Sequence, residues 1–258
     1  MVKLSNLLSL VQNENMKIYR RPRTWIMAGI VLVATIALGL LLRSFSEVNE
    51  VNVWSFMSTA SSMTFFAFIF TVVIAADSVA GEFTWGTIKL LLIRPVGRSK
   101  VLLSKYIAVL LFMLALLALL IVSSFIVGLL LFGASGSNGG EELLALLRSY
   151  GFRLVGLVMN VTFAFMISTV FRSSALAISL AFVIMFASNT AMAALIALKK
   201  QWAKYILFAN TDLSMYYNGG VPPFKGMTLG FSVTVLIVYY VLFIGLTWII
   251  FRKRDVAG

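Results

Sequence analysis

Between Ile107 and Leu131 the chain is an almost unbroken run of Leu, Ala, Ile, Val and Phe. A helix rises about 1.5 Å per residue, so roughly 20 such residues cross the ~30 Å hydrocarbon core of a bilayer. Comparable runs recur at 24–42, 57–76, 103–132, 148–170, 175–198 and 228–251. In lipid every backbone N–H and C=O must be satisfied internally, which leaves helices or a closed barrel. Barrel strands alternate apolar and polar residues over about ten positions, and these runs do not alternate. The predicted fold class is therefore all-α: an integral membrane protein with six transmembrane helices in a single transmembrane domain, 1–258. The apolar share of 61% agrees, standing well above the roughly 45–50% of a soluble domain. The run from Val101 to Phe132 amounts to about 45 Å of helix, so it must tilt or project beyond the hydrocarbon.

Orientation follows from the basic residues, because segments rich in Lys and Arg beside a span are retained in the cytoplasm. Fourteen of the 21 fall on one side. Lys3, Lys17, Arg20, Arg21 and Arg23 precede the first span; Lys89, Arg94, Arg98, Lys100 and Lys105 surround the second-to-third connector; Arg172, Arg252, Lys253 and Arg254 complete the set. The other side holds seven, offset by Glu47, Glu50, Glu141, Glu142 and Asp212. Both termini are predicted to be cytoplasmic. The net charge of +12 sits beside spans, with no soluble domain to form a groove, so anionic lipids are the expected partner and nucleic acid is not. The first apolar run is a full span without a small-residue cleavage site after it, so it is expected to remain in the mature chain.

Ahead of the first span, Leu4, Leu7, Leu8 and Val11 recur at i, i+3, i+4 and i+7 among polar residues. That spacing predicts an amphipathic helix over 1–22 lying along the cytoplasmic interface, although a plain basic anchor also fits. Pro22 suits a break before the span, and Trp25 an interfacial position. On the far side, Gly133 to Gly140 reads as a flexible loop. The connector 199–227 is rich in aromatics, with Trp202, Tyr205, Phe208, Tyr216 and Tyr217. It reads either as an aromatic cap over the outer mouth or as an interfacial belt.

Catalysis has little to work with. Without a single His or Cys, Ser-His and Cys-His nucleophilic sites and His-based zinc sites cannot be built, and the chain is read as non-catalytic. Glu141-Glu142 suits a solvated helix start. Gly81-x4-Gly86 begins like a phosphate loop, but Thr87-Ile88 stands where Lys-Ser/Thr would bind phosphate and magnesium. Deep positions hold few ionisable groups; Asn160 and Asn189 are the candidate polar groups of a translocation path, with helix-to-helix hydrogen bonding as the plainer reading.

The segment 77–100 is unusual for a connector, because it combines helix-like apolar spacing at Phe83, Ile88, Leu91 and Leu92 with Glu82, Lys89, Arg94 and Arg98. Something outside the membrane is expected to read it. Its apolar anchors Phe83, Trp85 and Ile88 would supply contact area and its charges register. Asp77 and Glu82 either meet that partner or pair with Arg94 or Arg98 inside the chain.

Gly81-Glu82, Gly86-Thr87, Leu91, Arg94-Pro95, Arg98 and Lys105 resemble the pattern that follows the second span in permeases of the ABC-2 type. Glu14 to Trp25, Phe171 to Ser174 and Phe251 to Asp255 are similar to segments of the same family, so the resemblance covers the whole chain. It implies a permease subunit in a bacterial cytoplasmic membrane, paired with a second and expectedly identical permease and resting on two copies of a cytosolic ABC ATPase. No cofactor belongs to this chain; ATP and Mg would bind the ATPase. The resemblance makes 77–100 the ATPase-coupling segment, with Asp77, Glu82, Phe83, Trp85, Gly86, Thr87, Lys89, Arg94, Pro95 and Arg98 as its candidate residues. The permeases most alike in size export amphipathic or antimicrobial peptides. Permeases for lipid-linked glycans, sodium or drugs are alternatives within the class, and a stand-alone channel or a sensory or assembly protein is the alternative outside it.

Overall fold

The computed structural model describes residues 2–45, 51–86, 97–133, 139–171, 173–217 and 220–253. Among these, secondary structure is helical throughout. The helices are α1 (Val2–Tyr19), α2 (Pro22–Phe45), α3 (Val53–Ala60), α4 (Thr64–Thr84), α5 (Arg98–Phe132), α6 (Gly139–Val170), α7 (Ser174–Ala197) and α8 (Leu229–Lys253). A 3-10 turn, Ser61–Met63, carries α3 into α4, so that α2, α3 with α4, α5, α6, α7 and α8 provide six segments long and apolar enough to cross a membrane. Their number matches the six expected, and several of these helices outrun the expected apolar run. α6, for example, begins at Gly139 and carries Glu141 and Glu142 in its first turn, where carboxylates face the positive end of the helix dipole.

α4 and α6 form the centre. Ala67, Val72, Ala76 and Val79 of α4 meet Leu157, Val161, Ala164 and Phe165 of α6, with Leu102, Val109 and Phe112 of α5 and Ala177 and Ala181 of α7 closing the same core. Small residues let these backbones approach, which is how helices pack when lipid supplies no hydrophobic drive between them. Gly128 of α5 lies so close to α3 that a Cβ there would stand 2.9 Å from Phe56 and 3.0 Å from Val53. At the core's edge, Ser168 Oγ of α6 accepts from the backbone amides of both Val79 (3.1 Å) and Ala80 (3.0 Å) of α4.

The first two helices meet at a closed elbow. Pro22 opens α2 at the position where its missing N–H costs nothing. Across the break, the Thr24 hydroxyl donates to the Ile18 carbonyl and the Trp25 indole N–H donates to the Tyr19 carbonyl at 2.9 Å.

At the other end of the bundle the connector after α7 is folded. Three 3-10 turns, Gln201–Tyr205, Leu207–Ala209 and Leu213–Tyr216, turn Ala203, Leu207, Ala209 and Leu213 inward. Asn210, fully buried, holds them together: its amide donates to the carbonyls of Lys204 and Ile206, and its oxygen accepts from Ser232 of α8. Trp202, Tyr205 and Tyr217 remain more than half exposed. The connector thus buries its aliphatic residues and Asn210 and presents much of its aromatic set outward.

Candidate functional site

Charged residues from four helices converge where α1 lies against the end of α4 and the start of α5. Lys105 is the centre of the first group. It sits within the apolar α5, and its side chain is only 3% exposed. A charge so placed is costly unless paired, and here its ammonium donates to Glu14 of α1 and Glu82 of α4, both at 2.9 Å. Lys17, one turn on from Glu14, reaches the same two carboxylates at 2.8 and 3.0 Å. Burial opposes the charged form of Lys17, but the hydrogen bond and charge of Glu14, then those of Glu82, outweigh it and hold its pKa above the ordinary lysine value. Among the described residues, two carboxylates and two ammonium groups thus form a mutually paired set that fastens α1 to α4 and α5.

The second group is built on Asp77, seven-tenths of the way along α4. Its Oδ2 accepts from Arg21 at 2.8 Å and from Arg23, and its Oδ1 accepts from the Ser174 hydroxyl at the start of α7. Between the two groups lies a cavity of about 350 Å³ whose walls include the apolar side chains of Ile18, Ile74, Ala108 and Val109. Among the described residues no cluster of His, Cys, Asp and Glu could hold a metal ion.

α4 ends at this site for a local reason. The Trp85 amide still closes on Gly81, and Gly86 then adopts φ +67°, the left-handed conformation that glycine takes without penalty just past a helix. Phe83 packs on the core, whereas Trp85 is 73% exposed.

The family model described as "Protein of unknown function (DUF2705)" matches residues 25–257. The chain belongs to the DUF2705 family. Two relatives come from Bacillus subtilis (strain 168). One, named as the uncharacterized protein YhcI, is 36% identical over an alignment covering 98% of this chain and 100% of the relative. The other, named as the uncharacterized membrane protein YdbK, is 34% identical, covering 93% of this chain and 99% of the relative. A membrane protein among the relatives agrees with the six apolar helices.

In this DUF2705 chain the residues singled out from sequence fall into three groups. Asp77 lies two turns before the end of α4, Glu82 and Phe83 lie in its last turn, and Trp85 and Gly86 follow it. Arg98 opens α5 and donates to the Arg252 carbonyl at 3.2 Å, linking α5 to the end of α8. Thr87, Lys89, Arg94 and Pro95 lie outside the described residues. On α1, Val11 is buried, Leu7 is half-buried and Leu8 is exposed; Leu4 belongs to the same helix. Neither path candidate meets the other. Asn160 turns back to the Gly156 carbonyl of its own helix at 2.9 Å, and Asn189 is exposed on α7.

Glu14, Lys17, Arg21, Arg23 and Ser174 entered the sequence reading only as topology markers or parts of the family pattern, yet they hold the site together. Lys105 alone carried a usable signal, as a lone charge inside an apolar run.

Proposed function

We propose that this chain is the permease subunit of an ATP-driven ABC exporter of the ABC-2 type, moving amphipathic or antimicrobial peptides out of the cell or membrane with a separate cytosolic ATPase. The connector pattern from Gly81 to Lys105 carries the reading. The geometry at its two ends supports it. Glu82 near the start of this pattern and Lys105 at its end are both bonded to α1, so a push on the segment between them is delivered to α1 and through the elbow to α2. A coupling element must move as one rigid piece, and buried ion pairs are the means available here.

Two permeases, each resting on one ATPase with its ATP and Mg, make the working unit. α1 lies along the cytoplasmic face and both termini are cytoplasmic, in keeping with the basic residues of that end. Glu82 is occupied by Lys17 and Lys105 and therefore serves to position the connector. Trp85, largely exposed at the end of α4, is the contact residue for the ATPase.

The test is co-purification of the tagged chain, expressed from its native operon, in mild detergent. An ATPase subunit is expected at near equal stoichiometry, released by Trp85→Ala without loss of the helical bundle. A stable chain that never brings down a nucleotide-binding partner would overturn the permease reading in favour of a channel or sensor.

A further inference from the structure

We propose that the cavity between α1, α4 and α5 binds the phosphate headgroup of an anionic phospholipid whose acyl chains stay in the bilayer. The proposal goes beyond the transport reading and does not depend on it.

Charge is the first argument. Lys17, Arg21, Arg23 and Lys105 line the cavity against Glu14, Asp77 and Glu82, leaving one positive charge in excess. The excess is concentrated at Asp77, where a single carboxylate oxygen serves two guanidinium groups. A guanidinium has donors to spare after one such bond, and Nε of Arg23 is buried without a partner among the described residues. Planar, multiply donating groups of this kind are suited to phosphate.

The distribution of charge points the same way. Side chains of Asp77, Glu14 and Glu82 are 7%, 12% and 13% exposed, while those of Lys17, Arg21 and Arg23 are 41%, 46% and 35% exposed. Lys105, 3% exposed, lies deepest and is paired with Glu14 and Glu82, while the other three cations stand nearer the mouth than any carboxylate, so the opening attracts an anion.

Shape and position select a lipid over a free anion. Ile18, Ile74, Ala108 and Val109 form apolar wall, which inorganic phosphate would leave bare. A volume of about 350 Å³ admits a phosphoglycerol group and the first carbons of its chains, far less than a whole lipid. The cavity also lies where α2 and α5 begin and α4 ends, the level of headgroups for segments that cross a bilayer, with the exposed Trp25 indole at the same level.

The experiment uses the full chain in a neutral detergent and follows retained phosphatidylglycerol by native mass spectrometry, with phosphatidylcholine and inorganic phosphate as competitors. Arg21→Ala removes a donor while leaving Asp77 with Arg23 and Ser174, and Ser78→Phe fills the cavity while keeping every charge. Each variant stands as a test by itself if the other fails to fold by size exclusion. The expected result is one phosphatidylglycerol retained per chain, weakened at least about tenfold by either variant, untouched by Lys200→Ala at the far end of α7, and displaced by neither competitor. Equal weakening by Lys200→Ala would reduce the effect to diffuse attraction and overturn the site. Retention unchanged in Ser78→Phe would remove the lipid from this cavity, and displacement by inorganic phosphate would make the ligand a free anion.

Discussion

Glu82 Oε1 accepts a hydrogen bond from Lys105 Nζ at 2.9 Å, joining the last turn of α4 to the start of α5 across the connector between them. Both side chains are largely withdrawn from solvent, Lys105 to 3% and Glu82 to 13% exposure. The pair is thus retained at a desolvation cost that only good geometry offsets.

Replacing Lys105 by Met leaves Glu14 and Glu82 beside each other, sharing Lys17 among the described residues. The expected loss is about 2–4 kcal/mol, read as a lower unfolding temperature in detergent. Adding Glu82→Gln to the Lys105 replacement removes one of these carboxylates and should recover part of that loss; a double variant no better than the single would deny a direct pairing.

Gly128→Ala drives a methyl into Phe56 and Val53, at 2.9 and 3.0 Å. Overpacking of this kind costs about 1–3 kcal/mol. Gly29→Ala, where an added Cβ meets nothing within 4 Å, should be silent or mildly stabilising. Thermal unfolding of the two variants side by side checks the contrast.

Ser168→Ala removes the hydroxyl that accepts from the amides of Val79 and Ala80. About 1 kcal/mol of stability should go with it. The sharper readout is hydrogen exchange, which should accelerate at those two amides and leave the far end of α4 unchanged.

Asn210→Ala deprives the carbonyls of Lys204 and Ile206 and the Ser232 hydroxyl of their shared partner, all at a fully buried position. The folded connector after α7 should loosen first, by about 1–3 kcal/mol. Limited proteolysis between Gln201 and Tyr217 measures it, and cleavage no faster than in the parent chain would contradict the role given to Asn210.

Lys17 gives the docking of α1 a pH dependence. Its folded pKa lies above the ordinary lysine value, so its contribution is complete below that ordinary value and is lost as pH rises through the higher folded one. Spin labels on α1 and α5 should separate only in that alkaline window. Lys17→Gln should abolish the step attributable to this residue.

The spans were legible because hydropathy is a local property: each run of about 20 apolar residues announces itself without reference to any other. Pro22 marked the start of α2, while on α1 the spacing grouped Leu8 with Val11 and the structure turns Val11 inward and Leu8 outward. The charged site was not legible, since its bonds join residues far apart in sequence, Glu14 with Lys105 and Asp77 with Ser174. Asp77 and Glu82 were singled out from sequence, where local spacing suggested Arg94 and Arg98 as partners inside the chain. The partners found among the described residues come from α1, the elbow, α5 and α7, because the packing of α1 brings a second set of cations to the same place. Nothing in a hydropathy profile encodes that docking.

The elbow between α1 and α2 is stitched from the α2 side by two side chains, Thr24 and Trp25, that return to carbonyls of the preceding helix. A joint closed in this way ties the two helices at one corner, the first turn of α2 being bonded to the last turn of α1. Leu40 and Leu41, near the opposite end of α2, stand exposed on its surface. The stitched corner at Pro22 and these leucines thus stand at opposite ends of one helix, roughly 27 Å apart at its rise per residue.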